Sequence, residues 1–302
     1  MSDNTQLNSK LDLLKIEIES HLDSYEDQNK IIAPNLNKAM KYSLMAGGKR
    51  IRSILAIHAG LMCGGDKKVL LDIAPCIELL HTYSLIHDDL PSMDNSDWRR
   101  GKKTCHKVHG EDIATLAGDA LLTDAWDLLI EQCKINKISD SVIVDLIQTL
   151  SKSIGSYGMV AGQVLDLENE NKRCNLETLN KIHEYKTGKL FIGSLLLGYK
   201  LSSSSKEEEL ALINYGKSFG MAFQITDDIL DVTGTTQSLG KTAGLDETLN
   251  KSTFPSLLGL DKSRELAKDY VISGIDSLNI FTNSESKKNL INLLKYLLNR
   301  NS

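Results

Sequence analysis

Apolar residues recur at intervals of three and four along most of this chain, the period of helix faces rather than of strands. The pattern predicts helices over about 5–30, 35–46, 50–63, 69–90, 111–133, 138–155, 176–200, 206–233, 253–273 and 285–299. Punctuation agrees with it. Pro34 stands at a helix start, Gly47 and Gly48 mark a helix end or a turn, and Pro91 ends or bends the apolar helix that begins near residue 76. In "SSSSKEEE" (202–209), Ser205 reads as an N-cap followed by acids in the first turn. Four prolines and 5% aromatic residues in 302 positions leave little material for β structure. No polar linker divides the pattern and no repeat period emerges. The expected fold is all-α, a single-domain helical bundle over 1–302.

Composition narrows the partners. At 41% apolar content a chain of this length can bury a large core. The net charge of -5, with no basic tail, gives no field for nucleic acid. Five cysteines, odd in number and without a CxxC pair, suit reduced thiols rather than a disulfide framework or structural zinc. The first twenty residues mix acids and lysines without a signal-peptide core, and "LFIGSLLLGY" is about half the ~20 apolar residues that span a bilayer. These features predict a cytoplasmic protein with no membrane span.

Two acid clusters carry the chemistry. In "ELLHTYSLIHDDLPSMD", Asp88 and Asp89 close an apolar helix and Asp94 follows Pro91. Bare acids there meet the negative end of the helix dipole; a divalent cation reverses the sign, and Asp94 can fold back to share it. Taken alone, this cluster also fits a solvated acidic loop. In "AFQITDDILDV", Gln224, Asp227, Asp228 and Asp231 lie at i, i+3, i+4 and i+7, one stripe flanked by Ala222, Phe223, Ile225, Ile229, Leu230 and Val232. A helix so apolar is mostly buried, and buried acids need cations. Oxygen ligands in two such sets suit Mg²⁺ shared with substrate phosphates. Basic groups accompany them: Lys49 and Arg52 after the glycine pair, Arg99 and Arg100 after the first cluster, Lys186 and Thr187 in "EYKTGKL", Lys241 and Lys251 after the second. Singly, each is explained by solvent exposure. Together they describe sites for two diphosphates, one bridged by metal and one held by Arg, Lys and His.

"GGKRIR", "LIHDDLPSMDN", "RRG", "KTGKL", "FQITDDILDVTG", "LGK" and "KSTFPSLLGL", in this order, resemble the trans-prenyl diphosphate synthases, most closely the bacterial farnesyl diphosphate synthases. The likeness runs from about residue 30 to the C-terminus. It departs where Ser53 and Lys103 replace a common proline and where Asn95 and Ser96 replace a more acidic run. The resemblance implies the isoprenoid synthase fold, a central cavity lined by two Asp-rich helices, and a homodimer. It implies three Mg²⁺ per active site on Asp88, Asp94 and Asp227, with Asp89, Asp228 and Asp231 supporting or adding ligands. Arg99, Lys186, Thr187, Gln224, Lys241 and Lys251 would hold the allylic diphosphate, dimethylallyl and then geranyl. Isopentenyl diphosphate would sit on Lys49, Arg52, His81 and Arg100. The implied reaction is ionisation, condensation and elimination, with Asp88, Asp94, Asp227, Lys186 and Arg99 at the departing charge and no protein nucleophile. Tyr83, five residues before Asp88 and so roughly 7–8 Å down the helix, would floor the pocket with Ser84 beside it. An aromatic there goes with a fifteen-carbon product in the resembling family.

Other readings fit less of the chain. "GTTQSLGKT" (234–242) approaches a P-loop but has five residues between its glycines and follows a helix. An HD-type metal phosphohydrolase would use His58, His81 and His87–Asp88 and leave the second acid stripe and the lysines without a task. A terpene cyclase carries an Asn-Ser-Glu type second motif where this chain reads DDILD, and a non-catalytic partner subunit tends to lose its acids. Geranylgeranyl and geranyl diphosphate synthases of the same family stay open as alternatives on product length. His58 and His109 are left as single core or surface histidines, and Cys63 and Cys76 as packed hydrophobes.

Overall fold

The computed structural model describes residues 11–23, 32–202, 205–234 and 251–300. Helix dominates them. The elements are α1 (11–23), α2 (Pro34–Leu44), α3 (Ile51–Met62), α4 (Lys67–Ile73), α5 (Cys76–Asp88), α6 (Cys105–His109), α7 (Glu111–Ile135), α8 (Asp140–Ile154), α9 (Met159–Glu168), α10 (Leu176–His183), α11 (Lys189–Lys200), α12 (Lys206–Thr233), α13 (Phe254–Leu258), α14 (Leu260–Ser277) and α15 (Glu285–Asn299). Between α5 and α6 a short antiparallel hairpin, β1 (Trp98–Arg99) and β2 (Lys102–Lys103), turns through Arg100 and Gly101, both at positive φ.

The structure departs from the apolar pattern in several places. The helix expected over 69–90 is two helices, because Pro75 lacks the N–H that would continue α4. Residues 159–168 form α9 although Gly155, Gly158 and Gly162 depress helix propensity around them. The helix expected over 176–200 carries a π-helical segment at Glu184–Gly188 between α10 and α11. The helix expected over 253–273 is likewise two, α13 and α14, parted at Gly259 with a φ of +83°, and α14 runs on to Ser277. The N-cap cue holds. Ser205 caps α12 in a reciprocal box, accepting from Glu208 N at 3.3 Å while Glu208 Oε2 accepts from Ser205 N at 2.8 Å.

The chain divides into two compact units: Met1–Ile57 with Asp66–Val144, and His58–Gly65 with Asp145–Ser302. In the first, α5 lies along α7, and α2 packs on both. Leu79, Leu80, Tyr83 and Ile86 of α5 are buried, and so are Leu121 of α7 and its Ala114, Ala117 and Ala125, whose small side chains allow close approach. Each fully buried leucine or isoleucine stabilises by about 1.5–3 kcal/mol. Ser53 shows why serine serves where the resembling family has proline. Its N–H donates to Glu78 Oε1 at 3.3 Å and its hydroxyl to the same oxygen at 3.0 Å. Proline would remove both.

In the second unit α12 runs about 42 Å at 1.5 Å per residue, with α11, α14 and α15 packed around it. Tyr215 stacks on Phe219, and Phe191 meets Phe219 and Phe223 edge to face, with ring centroids 5.0–6.0 Å apart. The Tyr215 hydroxyl donates to Leu290 O at 2.8 Å, so its burial leaves no polar atom unsatisfied. Among the described residues one helical stretch, Lys67–Asp88, is long and apolar enough by length and composition to cross a membrane, and 67% of its window is buried inside the protein.

Candidate active site

The first acid cluster is assembled by backbone. Asp88 is the last residue of α5 and Asp89 its C-cap. Beyond Pro91 the chain turns back, and Asp94 N–H donates to Asp88 O at 2.9 Å, which is the return the sequence implied. The hairpin then brings Arg99 across: its Nε lies 2.9 and 2.8 Å from the two Asp89 oxygens and its Nη2 2.6 Å from Oδ1, with Asp88 Oδ2 at 3.7 Å. Asp89 is buried, and burial pushes its carboxyl up from the ordinary value against the pull of Arg99. Asp88 stays partly open, with 17% of its side chain exposed. A cleft of about 30 Å³ behind the pair, lined by Tyr42, Thr82, Leu85, Asp89, Arg99 and Arg100 among others, has room for water only.

The same unit holds all the residues assigned to the second diphosphate, Lys49, Arg52, His81 and Arg100. Arg52 Nη1 donates to His81 Nε2 at 3.0 Å, so His81 carries its proton on Nδ1. Burial first, and then Arg52, Arg100, Arg99 and Arg50, hold the His81 pKa well below the ordinary value. His81 is therefore neutral and orients the guanidinium without adding charge. Arg100 donates to Gly47 O. Gly48 has a φ of +120°, which favours glycine, and the Arg100 guanidinium lies within 2.8 Å of where a Cβ would stand, so a side chain there would push that group aside. Lys49 is exposed beside them. Arg50, unassigned in the sequence reading, is buried with a positive φ and bonds Leu44 O at 2.7 Å, Glu19 at 3.1 Å and Glu78 at 3.5 Å. Its burial fixes the backbone that aims Lys49 and Arg52. Glu78, an acid within an apolar helix, is the sequence signal that such a partner exists.

The half-open positions on α5 are His81, Ser84, Leu85, His87 and Asp88, and all but His87 share an i, i+3, i+4, i+7 face. Ser84 sits one turn below Asp88, its hydroxyl turned back onto His81 O at 2.8 Å. Tyr83 lies about 140° around the helix from Asp88, 6% exposed, its ring 5.9 Å from that of His87. Burial raises the Tyr83 phenol to about 12.

The second cluster lies in the second unit. Asp227 is half-open and paired with Arg300, which also donates to Phe223 O at 2.7 Å and Thr226 Oγ1 at 2.8 Å and lies over the Phe223 ring. Asp228 is buried and accepts the Phe254 N–H at 3.0 Å, which anchors the start of α13 at its positive end. Asp231 is buried. Gln224 Oε1 accepts from Thr187 Oγ1 at 3.1 Å. Lys186 and Lys251 both converge on Asp166, an acid the sequence reading passed over. Lys241 lies outside the described residues. His183, stacked on Phe254, has its pKa lowered to about 4, by burial first, with Lys186 adding and Asp166 opposing. Arg300 was equally invisible to pattern, since nothing in a C-terminal arginine names its partner. Arg300→Ala is expected to cost about 2 kcal/mol, the usual worth of hydrogen bonds to a charged group, read as a lower urea midpoint; an unchanged midpoint would show that these contacts add nothing.

Both clusters offer carboxylate oxygens, the donors Mg²⁺ takes. The nearby imidazoles are engaged otherwise: His87 Nε2 donates to Thr115 O at 3.1 Å, His81 faces arginines, and His58 lies between Ser286 and Asn289 at 3.4 Å from each. That disposition removes the ligand set of an HD-type phosphohydrolase. Among the described residues no three His, Cys, Asp or Glu side chains converge as a closed metal cage. One or two carboxylates per ion, completed by phosphate and water, is the habit of Mg²⁺, so the residues fit it.

Comparison with known proteins gives the family. The chain is 42% identical over 298 residues to a farnesyl diphosphate synthase of Micrococcus luteus, covering 98% of both. It is 44% identical over 268 residues to large subunit 1 of a heterodimeric chloroplastic geranylgeranyl pyrophosphate synthase of Arabidopsis thaliana, covering 88% of this chain and 72% of that one. A crystal structure of a geranyltransferase from Helicobacter pylori, complexed with magnesium and isoprenyl diphosphate, aligns with a TM-score of 0.81 at 36% identity over 96% of each chain. The polyprenyl synthetase family matches residues 33–294. An all-α chain with these motifs and these relatives belongs to the polyprenyl synthetase family of prenyltransferases and has the isoprenoid synthase fold.

Proposed function

We propose that the chain is a farnesyl diphosphate synthase, adding isopentenyl diphosphate to dimethylallyl and then geranyl diphosphate. The observation that carries the product length is on α5: a small Ser84 on the face of Asp88, one turn down, and a large buried ring at Tyr83 beside it. Lys186, Thr187, Gln224 and Lys251, with Lys241, bind the allylic diphosphate, and Arg99 stands by the first acids. As the allylic C–O bond breaks, its electron pair goes to the diphosphate, and charge-assisted hydrogen bonds from these groups strengthen. Mg²⁺, when bound through Asp88, Asp89 and Asp94 and through Asp227, Asp228 and Asp231, would supply further positive charge to the departing diphosphate. Lys49, Arg52 and Arg100, with neutral His81 orienting Arg52, hold the second diphosphate. The isopentenyl double bond then attacks the allylic carbon, a C–C bond forms, and the resulting cation loses a proton to the released diphosphate.

The test is product sizing. The purified chain, given isopentenyl and dimethylallyl diphosphates with Mg²⁺, is expected to yield a C15 alcohol after phosphatase treatment, and chelation to stop it. Turnover by the chain alone separates this reading from a non-catalytic subunit. Tyr83→Ala should extend products beyond C15, and Ser84→Phe, on the face of Asp88, should shorten them. If Tyr83→Ala makes nothing longer than C15, Tyr83 is not the floor. A wild-type product of C20 would favour the geranylgeranyl reading instead, which relatives such as the Arabidopsis subunit support.

A further inference from the structure

Asp166, on α9, has no role in the reaction as drawn above. Yet its carboxylate is mostly buried, and one of its oxygens, Oδ2, accepts from Lys186 Nζ at 2.7 Å and from Lys251 Nζ at 3.1 Å. Lys251 has a second acid, Glu170 Oε1, at 3.2 Å. Two ammonium groups brought this close repel each other, and a shared carboxylate is what makes the arrangement stable. The local fold is built around it. Gly162 lets α9 touch the backbone of the π-helical segment at Lys186, and Asp166, one turn further along the same face, meets that lysine's ammonium. The two lysines hold the Asp166 carboxyl below the ordinary carboxylate value even though burial works the other way.

We infer that Asp166 is a positioning residue, gathering Lys186 and Lys251 into a paired cationic clasp for the two phosphates of a diphosphate before that anion arrives. A diphosphate presents adjacent anionic oxygens, and cations already held together lose less freedom on binding it. The identity of the anion rests on the reading of the chain as a prenyl diphosphate synthase. The clasp itself rests only on the three side chains.

Asp166→Asn keeps the shape and removes the charge. With Mg²⁺ present, its affinity for inorganic pyrophosphate by calorimetry is expected to fall about tenfold, the loss of one charge-assisted contact. The KM for geranyl diphosphate should rise with it, while the KM for isopentenyl diphosphate, whose cations are Lys49, Arg52 and Arg100, stays put. Asp166→Glu should restore most of the loss. A folded Asp166→Asn protein with wild-type pyrophosphate affinity overturns the inference. Should that variant not fold, Lys186→Met and Lys251→Met put the same question. As one pre-assembled unit, the double variant loses little more affinity than either single one; fully additive losses overturn it. A wild-type chain that binds pyrophosphate but transfers no prenyl group would sink the functional reading and leave the clasp standing.

Discussion

Asp88→Ala is expected to lower prenyl transfer by about 10³-fold, the scale seen when one stabiliser of developing charge is removed, and at the same time to make the substrate-free protein slightly more stable. The two signs have one cause. Asp88 ends α5, where the helix dipole is negative, and a carboxylate there meets an unfavourable field worth roughly 0.3–1 kcal/mol. Alanine is also the better helix former, by a few tenths of a kcal/mol. Its ion pair with Arg99 is the weaker of two: Arg99 Nη2 lies 3.7 Å from Asp88 and 2.6 Å from Asp89. The turn survives the change, because Asp94 N–H bonds the backbone carbonyl of residue 88 and not its side chain. A residue that weakens its own helix is retained for a task that begins when ligand arrives. Steady-state rates and urea midpoints on the same preparation check both halves. Activity within tenfold of wild type, or a midpoint clearly below it, would count against a charge-holding role for Asp88.

The parts of the two acid clusters that were legible in the sequence are those that one helix encodes alone. The stripe Gln224, Asp227, Asp228 and Asp231 is a matter of spacing on α12, and Pro91 after Asp88 dictates a turn. What stayed hidden is pairing across the fold. Asp228 resembles Asp227 in sequence, but one bonds the Phe254 N–H within the core and the other meets Arg300 near the surface. Arg99, read as a substrate ligand, is held on Asp89. Asp166 lay in a segment whose glycines argue against a helix, so the element that presents it went unseen. Glycine propensity weighs against a helix there. It weighs backbone entropy, whereas α9 owes its place to a contact that only a missing side chain permits.

That contact makes Gly162→Ala the severe test of the second unit. A Cβ at 162 would stand 2.0 Å from Lys186 N and 2.5 Å from both Lys186 Cα and Tyr185 C. All three are backbone atoms and cannot rotate aside, so α9 and the π-helical segment must separate. Overpacking of this kind costs more than about 3 kcal/mol when the neighbour cannot yield. The displacement also falls on function. Lys186 reaches Asp166, and Thr187 reaches Gln224 at 3.1 Å, from that same segment. Stability and pyrophosphate affinity are therefore expected to drop together in Gly162→Ala, whereas Asp166→Asn should lower affinity with the fold largely intact. Urea denaturation alongside pyrophosphate calorimetry reads both quantities. A Gly162→Ala protein with wild-type stability would mean that α9 and the segment bearing Lys186 are not in the contact described, and the placement of that lysine would fall with it.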